Sequence, residues 1–231
     1  MTAGPVEHVV VVVPARNEEQ LVARCLRSVV AAVDALRGPT AHVVVVLDSC
    51  TDDTARFARA FDGRVDVHEI AAGAVGSARA YGVAVGLAAA PDPARTWIAC
   101  TDADSQVPPN WLTEQLARAD AGADVVVGTV RPDPLDLTAD QLTAWSATRR
   151  PSAPNGHVHG ANLGIRADAY VRAGGFSPWP EHEDVDLVAR IAADPAASVV
   201  ACDRGDVLTS GRRVGRTPGG YAGYLRAALP R

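Results

Sequence analysis

Thr96-Trp97-Ile98-Ala99-Cys100-Thr101-Asp102-Ala103-Asp104-Ser105 joins a short apolar stretch to a pair of carboxylates. The first five residues are bounded by Pro-rich and polar sequence and read as a buried strand. Asp102 and Asp104 therefore stand where a central strand ends, the edge of an open α/β sheet at which ligands bind. Side chains at i and i+2 of an extended segment point the same way, so the two carboxylates converge. Hard oxygens at one point suit Mg²⁺ or Mn²⁺, ions that keep waters and share their other positions with a substrate's phosphates. The competing reading is a polar turn ahead of Pro108-Pro109.

Outward from this stretch, strand and helix patterns alternate. His8–Val13, Val43–Leu47, Val65–Ile70 and Asp124–Val130 are further strand candidates. The continuous apolar runs fit parallel strands buried on both faces. Between them, Leu21, Val22, Cys25, Leu26, Val29, Val30 and Val33 recur at helical spacing, with Asn17 as a candidate cap and Glu18-Glu19 in the first turn. Further helices are expected from Thr54 to about Phe61, opening at Gly73–Ser77, and near Trp111–Arg118. The alternation predicts βαβ units: a three-layer αβα sandwich around a mostly parallel sheet. Right-handed crossovers then bring Pro14–Glu19, Asp48–Thr54 and Asp102–Ser105 to one crevice. Beyond Val130 the pattern loosens. A helix near Thr138–Thr148, a turn at Gly174-Gly175-Phe176, a helix over Glu181–Ala193 and a short strand at Ser198–Cys202 are expected, followed by an arginine-bearing tail.

Composition narrows the function. The 231 residues fit a single domain, with a net charge of -5 that argues against nucleic-acid binding. Cys25, Cys50, Cys100 and Cys202 form no C-x-x-C pair and read as reduced core thiols, so a cytoplasmic location is expected. No apolar run approaches the ~20 residues of a membrane span, and no signal-peptide pattern opens the chain. The sequence contains no lysine, which excludes a Walker-type phosphate lysine, a Schiff base and a pyridoxal site.

Six short motifs fall in a fixed order: Pro14-Ala15-Arg16-Asn17-Glu18-Glu19, Asp48-Ser49-Cys50-Thr51-Asp52, Asp102-Ala103-Asp104, Gly160-Ala161-Asn162, Gly174-Gly175-Phe176 and Glu183-Asp184. In this order and context the chain resembles family-2 glycosyltransferases of the GT-A, nucleotide-diphospho-sugar transferase, fold. The resemblance runs from about His8 to Arg190. It implies one glycosyltransferase domain over residues 1–231, with a nucleotide-sugar half at about 8–130 and an acceptor and catalytic half at about 131–231.

Residue by residue, the resemblance implies that Pro14, Ala15, Arg16 and Glu18 lie along the nucleoside. Asp48, with Ser49 beside it, would meet the base, although Asp48 also suits a helix cap. Arg79 would reach the nucleotide or, alternatively, stand as a solvated helix arginine. Asp102 and Ala103 would meet the ribose, and Asp102 and Asp104 the metal, Mg²⁺ or Mn²⁺. Displacing a nucleoside diphosphate from an anomeric carbon leaves charge on the departing phosphate, which a divalent ion and arginines stabilise. The incoming hydroxyl needs a base. Asp184, in the acidic pair Glu183-Asp184, is the candidate, and a lone base implies inversion; a capping role is the alternative. Gly160, Ala161, Asn162 and His182 are assigned to the sugar or acceptor, with a simple turn as the other reading of the glycine motif. Arg212, Arg213 and Arg216 could close over the diphosphate or form a solvated face. No histidine follows His182, where relatives of this fold often hold a third metal ligand, leaving that position to water.

The expected partners are a nucleoside-diphosphate sugar and a small-molecule or lipid-linked hydroxyl acceptor, with no nucleic acid and no integral membrane segment; homodimerisation is compatible with the sequence. The Q-x-x-R-W motif of processive synthases is absent, which favours single transfers. Two alternatives stand beside this reading: a polyprenyl-phosphate sugar transferase and a non-catalytic nucleotide-sugar-binding protein. A sugar nucleotidyltransferase would show a G-x-G-x-R loop and a lysine, and a dehydrogenase would show G-x-G-x-x-G after the first strand.

Overall fold

A computed structural model describes residues 4–90, 92–149, 157–215, 217 and 219–230. Strands β1 (His8–Ala15), β2 (Thr40–Asp48) and β3 (Asp66–Ile70) alternate with helices α1 (Val22–Asp34), α2 (Thr54–Arg59) and α3 (Val75–Ala88). Next come β4 (Thr96–Cys100), the short β5 (Ser105–Gln106), α4 (Trp111–Asp120), β6 (Val125–Pro132) and α5 (Ala139–Thr148). They are followed by β7 (Leu163–Arg166), α6 (Ala167–Arg172), α7 (Glu183–Ala192), β8 (Val199–Thr209) and α8 (Tyr221–Ala228).

The strands form one sheet in the order β3-β2-β1-β4-β7-β6-β8-β5. The β1–β2, β1–β4, β2–β3 and β6–β8 pairs are parallel; β4–β7, β6–β7 and β5–β8 are antiparallel. The valine run of β1 serves two cores at once. Val9, Val11 and Val13 pack with Leu26 and Val29 of α1 and Leu112 of α4. Val10 and Val12 turn to the other face, with Val83 of α3 and Leu187 and Ile191 of α7. Period-2 alternation in a run apolar at every position is what makes a three-layer sandwich.

α3 lies unusually close to the sheet. A Cβ added to Gly82 would stand 2.6 Å from Val12 Cγ1, and one added to Gly86 would collide with Val10 Cγ1. Only residues without a side chain allow this approach.

The expected crevice forms because β1 is flanked by β2 on one side and β4 on the other, a topological switch point. The antiparallel β7, level with β4 at the Cys100–Leu163 pair, adds to it. Its reversed direction brings the chain segment before Leu163 to the edge where β4 ends.

Several local expectations are corrected. Asn17 does not cap α1, whose N-cap is Leu21. Instead the Asn17 Oδ1 accepts the Thr51 N–H at 2.8 Å, and the residue is left-handed (φ 53°), a conformation Asn tolerates. The short strand expected at Ser198–Cys202 runs on to Thr209, extended by pairing with β6 and then β5. β5, α6 and α8 were not anticipated: each is too short for a periodic pattern to stand out. Arg216 lies outside the described residues.

Candidate functional site

The ends of β1, β2 and β4, the segment before β7 and the start of α7 surround a cavity of about 1240 Å³. Pro14, Ala15, Arg16, Glu18, Asp48, Arg79, Asp102, Ala103 and Asp104 line it, as do Gly160, Ala161, His182, Glu183, Asp184 and Arg212. Ser49, Asn162 and Arg213 are not among the described lining residues. The volume exceeds the ~300–1,000 Å³ usual for one small-molecule ligand, room for two reactants.

At one end Asp48 is buried and accepts the N–H groups of Ala72 and Gly73 at 2.8 and 2.9 Å. It is not a helix cap: α2 begins at the Asp53 N-cap. Asp48 thus shapes the Gly73–Ala74 wall. Ser49, left-handed at φ 56°, donates its hydroxyl to Asp48 Oδ1 at 3.0 Å.

Arg212 reaches into the cavity from the segment after β8. Its guanidinium donates to both Glu18 oxygens, at 3.1 and 2.8 Å, and stands 2.7 Å from Asp104 Oδ2. Asp136 fixes this segment by accepting the Gly211 N–H at 2.7 Å and the Ser210 hydroxyl at 3.1 Å. Burial, and next the carboxylates Asp102 and Glu18, push Asp104 up to about 6 despite Arg212.

Arg79 differs from the solvated arginine considered above. It is 3% exposed and ion-paired with Asp102 at 2.5 Å and with the buried Glu183. The guanidinium also runs beneath Gly160, where a Cβ would collide with it. Gly160 in turn donates its N–H to Asp184 Oδ2 at 2.6 Å. Arg79 therefore ties the end of β4 to the start of α7, and the missing side chain at 160 makes room for it.

The other end is lined by Trp145 of α5 and Arg149 just after it, by His157, Val158 and His159, and by Tyr221 and Tyr224 of α8. Burial holds His159 at about 4, so its imidazole is neutral at pH 7. His182 precedes α7 in a left-handed conformation (φ 64°). Asn17, Ser49 and His182 are the non-glycine residues with positive φ among those described; His182 lines the cavity, and Asn17 and Ser49 are chain neighbours of the lining residues Arg16, Glu18 and Asp48. Such backbone strain concentrates at functional sites.

Asn162 is engaged elsewhere. Its amide accepts from the Trp111 indole at 2.8 Å and donates to Thr129 O and Gly205 O at 2.9 and 2.8 Å. Arg213 donates to the carbonyls of Arg226 and Pro230, bracing α8. Sequence reading missed Trp145, Arg149, Tyr221 and Tyr224; the one available signal was that Trp and Tyr, four of each in the chain, recur in its least regular part.

Among the described residues no group of three His, Cys, Asp or Glu side chains is placed to hold a metal ion. The donor set still fits a Mg²⁺- or Mn²⁺-type ion that keeps waters and shares phosphate oxygens. Asp102 and Asp104 stand together, and Asp102 Oδ2 has no hydrogen-bond partner among the described residues. The described lining residues carry eight carboxylates, those of Glu18, Asp48, Asp102, Asp104, Glu181, Glu183, Asp184 and Asp203. Against them stand four guanidiniums, those of Arg16, Arg79, Arg149 and Arg212. A diphosphate would need an added cation in such surroundings.

Residues 10–167 match the sequence profile described as Glycosyl transferase family 2. The chain is 35% identical over 132 residues to an undecaprenyl-phosphate 4-deoxy-4-formamido-L-arabinose transferase of Pseudomonas fluorescens, a match covering 57% of this chain and 38% of that protein. The transferase of the same name from Salmonella paratyphi A is 32% identical over 135 residues, covering 58% and 40%. The matched stretch thus spans about two fifths of these relatives. Among solved structures, S. aureus TarS 1–349 in complex with UDP-GlcNAc superimposes with a TM-score of 0.67 at 17% identity, over 94% of this chain and 62% of that one. The mannosyltransferase PcManGT of Pyrobaculum calidifontis, in complex with GDP-Man and Mn²⁺, gives 0.65 at 20% identity, over 97% and 61%. These likenesses establish the GT-A fold.

Proposed function

The chain belongs to glycosyl transferase family 2, and from that premise we propose that it moves a single sugar, with inversion, from a nucleoside-diphosphate donor to a hydroxyl acceptor in a metal-dependent reaction. The observation that carries this reading is the convergence of Asp102 and Asp104, just after β4, with Asp184 of α7 on one cavity, the two sides joined by Arg79.

The donor occupies the end lined by Pro14, Ala15, Arg16, Glu18, Asp48 and Ala103. Asp102 and Asp104 would hold the divalent ion, which when bound neutralises charge on the departing diphosphate. Arg212 stands at Asp104 and Glu18, within reach of the same phosphates. Asp184 takes the proton of the acceptor hydroxyl as its oxygen attacks the anomeric carbon. The carbon–phosphate oxygen bond breaks, and its electron pair leaves with the nucleoside diphosphate. The Gly160 N–H fixes the direction of the Asp184 carboxylate. Glu183, paired with Arg79, positions the start of α7.

The names of the curated relatives favour one alternative acceptor, a polyprenyl phosphate. A phosphate oxygen arrives without a proton and needs no base. Asp184→Asn separates the two readings when turnover is followed with a panel of UDP- and GDP-sugars in Mn²⁺. Loss of about 10²-fold or more in kcat with unchanged nucleotide affinity is the expected result. Wild-type turnover in that variant would remove Asp184 as the base.

A further inference from the structure

The acceptor end of the cavity has a chemistry of its own. The rings of Tyr221 and Tyr224 are stacked, with centroids 5.8 Å apart and an interplanar angle of 24°. His159 meets Tyr221 edge-on at 5.9 Å, and His157 meets His159 at 6.3 Å. Trp145 lines the same end, with the Arg149 guanidinium 4.9 Å from its ring centroid. In a chain with 5% aromatic residues this is a concentrated group of rings. It includes Tyr224, 42% exposed, and two half-buried rings, Trp145 and Tyr221.

The polar groups here are specific too. The Tyr221 hydroxyl is buried without a well-formed hydrogen bond to any described residue. Burial also holds its phenol above the ordinary range, so the proton stays available for donation. Arg149, the described arginine lining this end, is engaged through both terminal nitrogens by Asp206, at 3.2 Å each, and Asp206 also accepts from Arg131 at 3.2 Å. Asp184 stands against His159, which is neutral. Among the described residues, an anionic acceptor would therefore meet a lining that carries more carboxylates than guanidiniums, Asp184 and Asp203 included, with Arg149 already engaged by Asp206, and would lose its hydration for little compensating charge. A neutral ring that bears hydroxyls would find aromatic faces for its C–H side and a phenol for its oxygens.

Resting on the transferase reading, we infer that Trp145, Tyr221 and Tyr224 form an acceptor subsite for an uncharged sugar ring, presented with one hydroxyl toward Asp184. The acceptor is a neutral glycan or glycoside rather than a phosphorylated lipid. This separates the chain from what the names of its curated relatives record for them.

Saturation-transfer NMR on the full chain tests this with methyl glucoside, methyl mannoside and methyl N-acetylglucosaminide as neutral probes and farnesyl phosphate as the anionic one. UDP and GDP with Mn²⁺ are titrated in parallel. The expected result is transfer to at least one methyl glycoside and none to farnesyl phosphate, with affinity lowered about tenfold in Trp145→Ala. Tyr221→Phe, which keeps the packing and removes only the hydroxyl, should lose part of that affinity while nucleotide binding stays at the wild-type level. Binding of farnesyl phosphate alone, or nucleotide binding with no glycoside contact, would overturn the subsite and leave the transferase reading standing. Absence of nucleotide binding would instead strike the reading beneath it.

Discussion

Arg79 is the residue on which the two halves of the site depend. A guanidinium this deeply buried is stable only because Asp102 and Glu183 both pair with it. Arg79→Met leaves Glu183 buried without its partner and should cost about 3–5 kcal/mol of unfolding free energy. Adding Glu183→Gln removes the orphaned charge, so chemical denaturation of the double variant should recover part of that loss. If the two changes are simply additive, the pair is not the brace described here. The sequence offered Arg79 as a helix arginine with two readings, nucleotide contact or solvent, and neither included burial between carboxylates. The partner that decides it, Glu183, lies 104 residues away, and no periodicity links them. Asp102 and Asp104 were legible because their spacing and their place at a strand end are local properties.

Among the elements, the strands of the first half follow directly from sequence, since a valine run buried on two faces has one stable use. β7 and the far part of β8 do not. Their direction and length are set by pairing with β4, β6 and β5. Gly160-Ala161-Asn162 illustrates the division. The motif was visible, but its residues act in different layers: Gly160 and Ala161 line the cavity, whereas Asn162 links α4, β6 and β8 beneath it. Asn162→Ala leaves the Trp111 indole and two carbonyls unpaired, and each buried polar group costs about 1–3 kcal/mol. A fall in urea midpoint with unchanged nucleotide affinity is the expected outcome. A selective loss of acceptor binding at full stability would return Asn162 to the acceptor. α8 escaped notice for a similar reason: its anchors are Ala222 and Leu225, with Leu229 just beyond, too few for a pattern.

At the scale of the molecule, the cavity is a carboxylate-rich enclosure that, on the proposed function, accepts a polyanion. Nucleotide and metal should therefore bind as a unit. Thermal unfolding with UDP, GDP and dTDP, each with and without Mn²⁺, should show stabilisation by one nucleotide only when metal is present. At ~100 times the dissociation constant the gain is ~2.7 kcal/mol, a shift of several degrees for a chain of this size. EDTA should return the midpoint to that of the free protein. Equal stabilisation without metal would assign the charge balance to Arg212 and Arg16 alone. Among the described residues no helix is long and apolar enough to cross a membrane.

The close seat of α3 on β1 has a practical consequence for anyone wishing to toughen this protein. Replacing helix-interior glycines by alanine is a routine stabilising step, with a gain of ~1 kcal/mol from propensity. Gly82 and Gly86 look like ideal targets on a sequence printout. Here the added methyl groups would wedge against Val12 and Val10 and lift the helix that carries Arg79. Gly86→Ala should lower the melting temperature and, by shifting the guanidinium, loosen the link between β4 and α7. Thermostabilisation of this scaffold is better directed at exposed loop positions, away from a helix whose bare face sets the depth of the cavity floor.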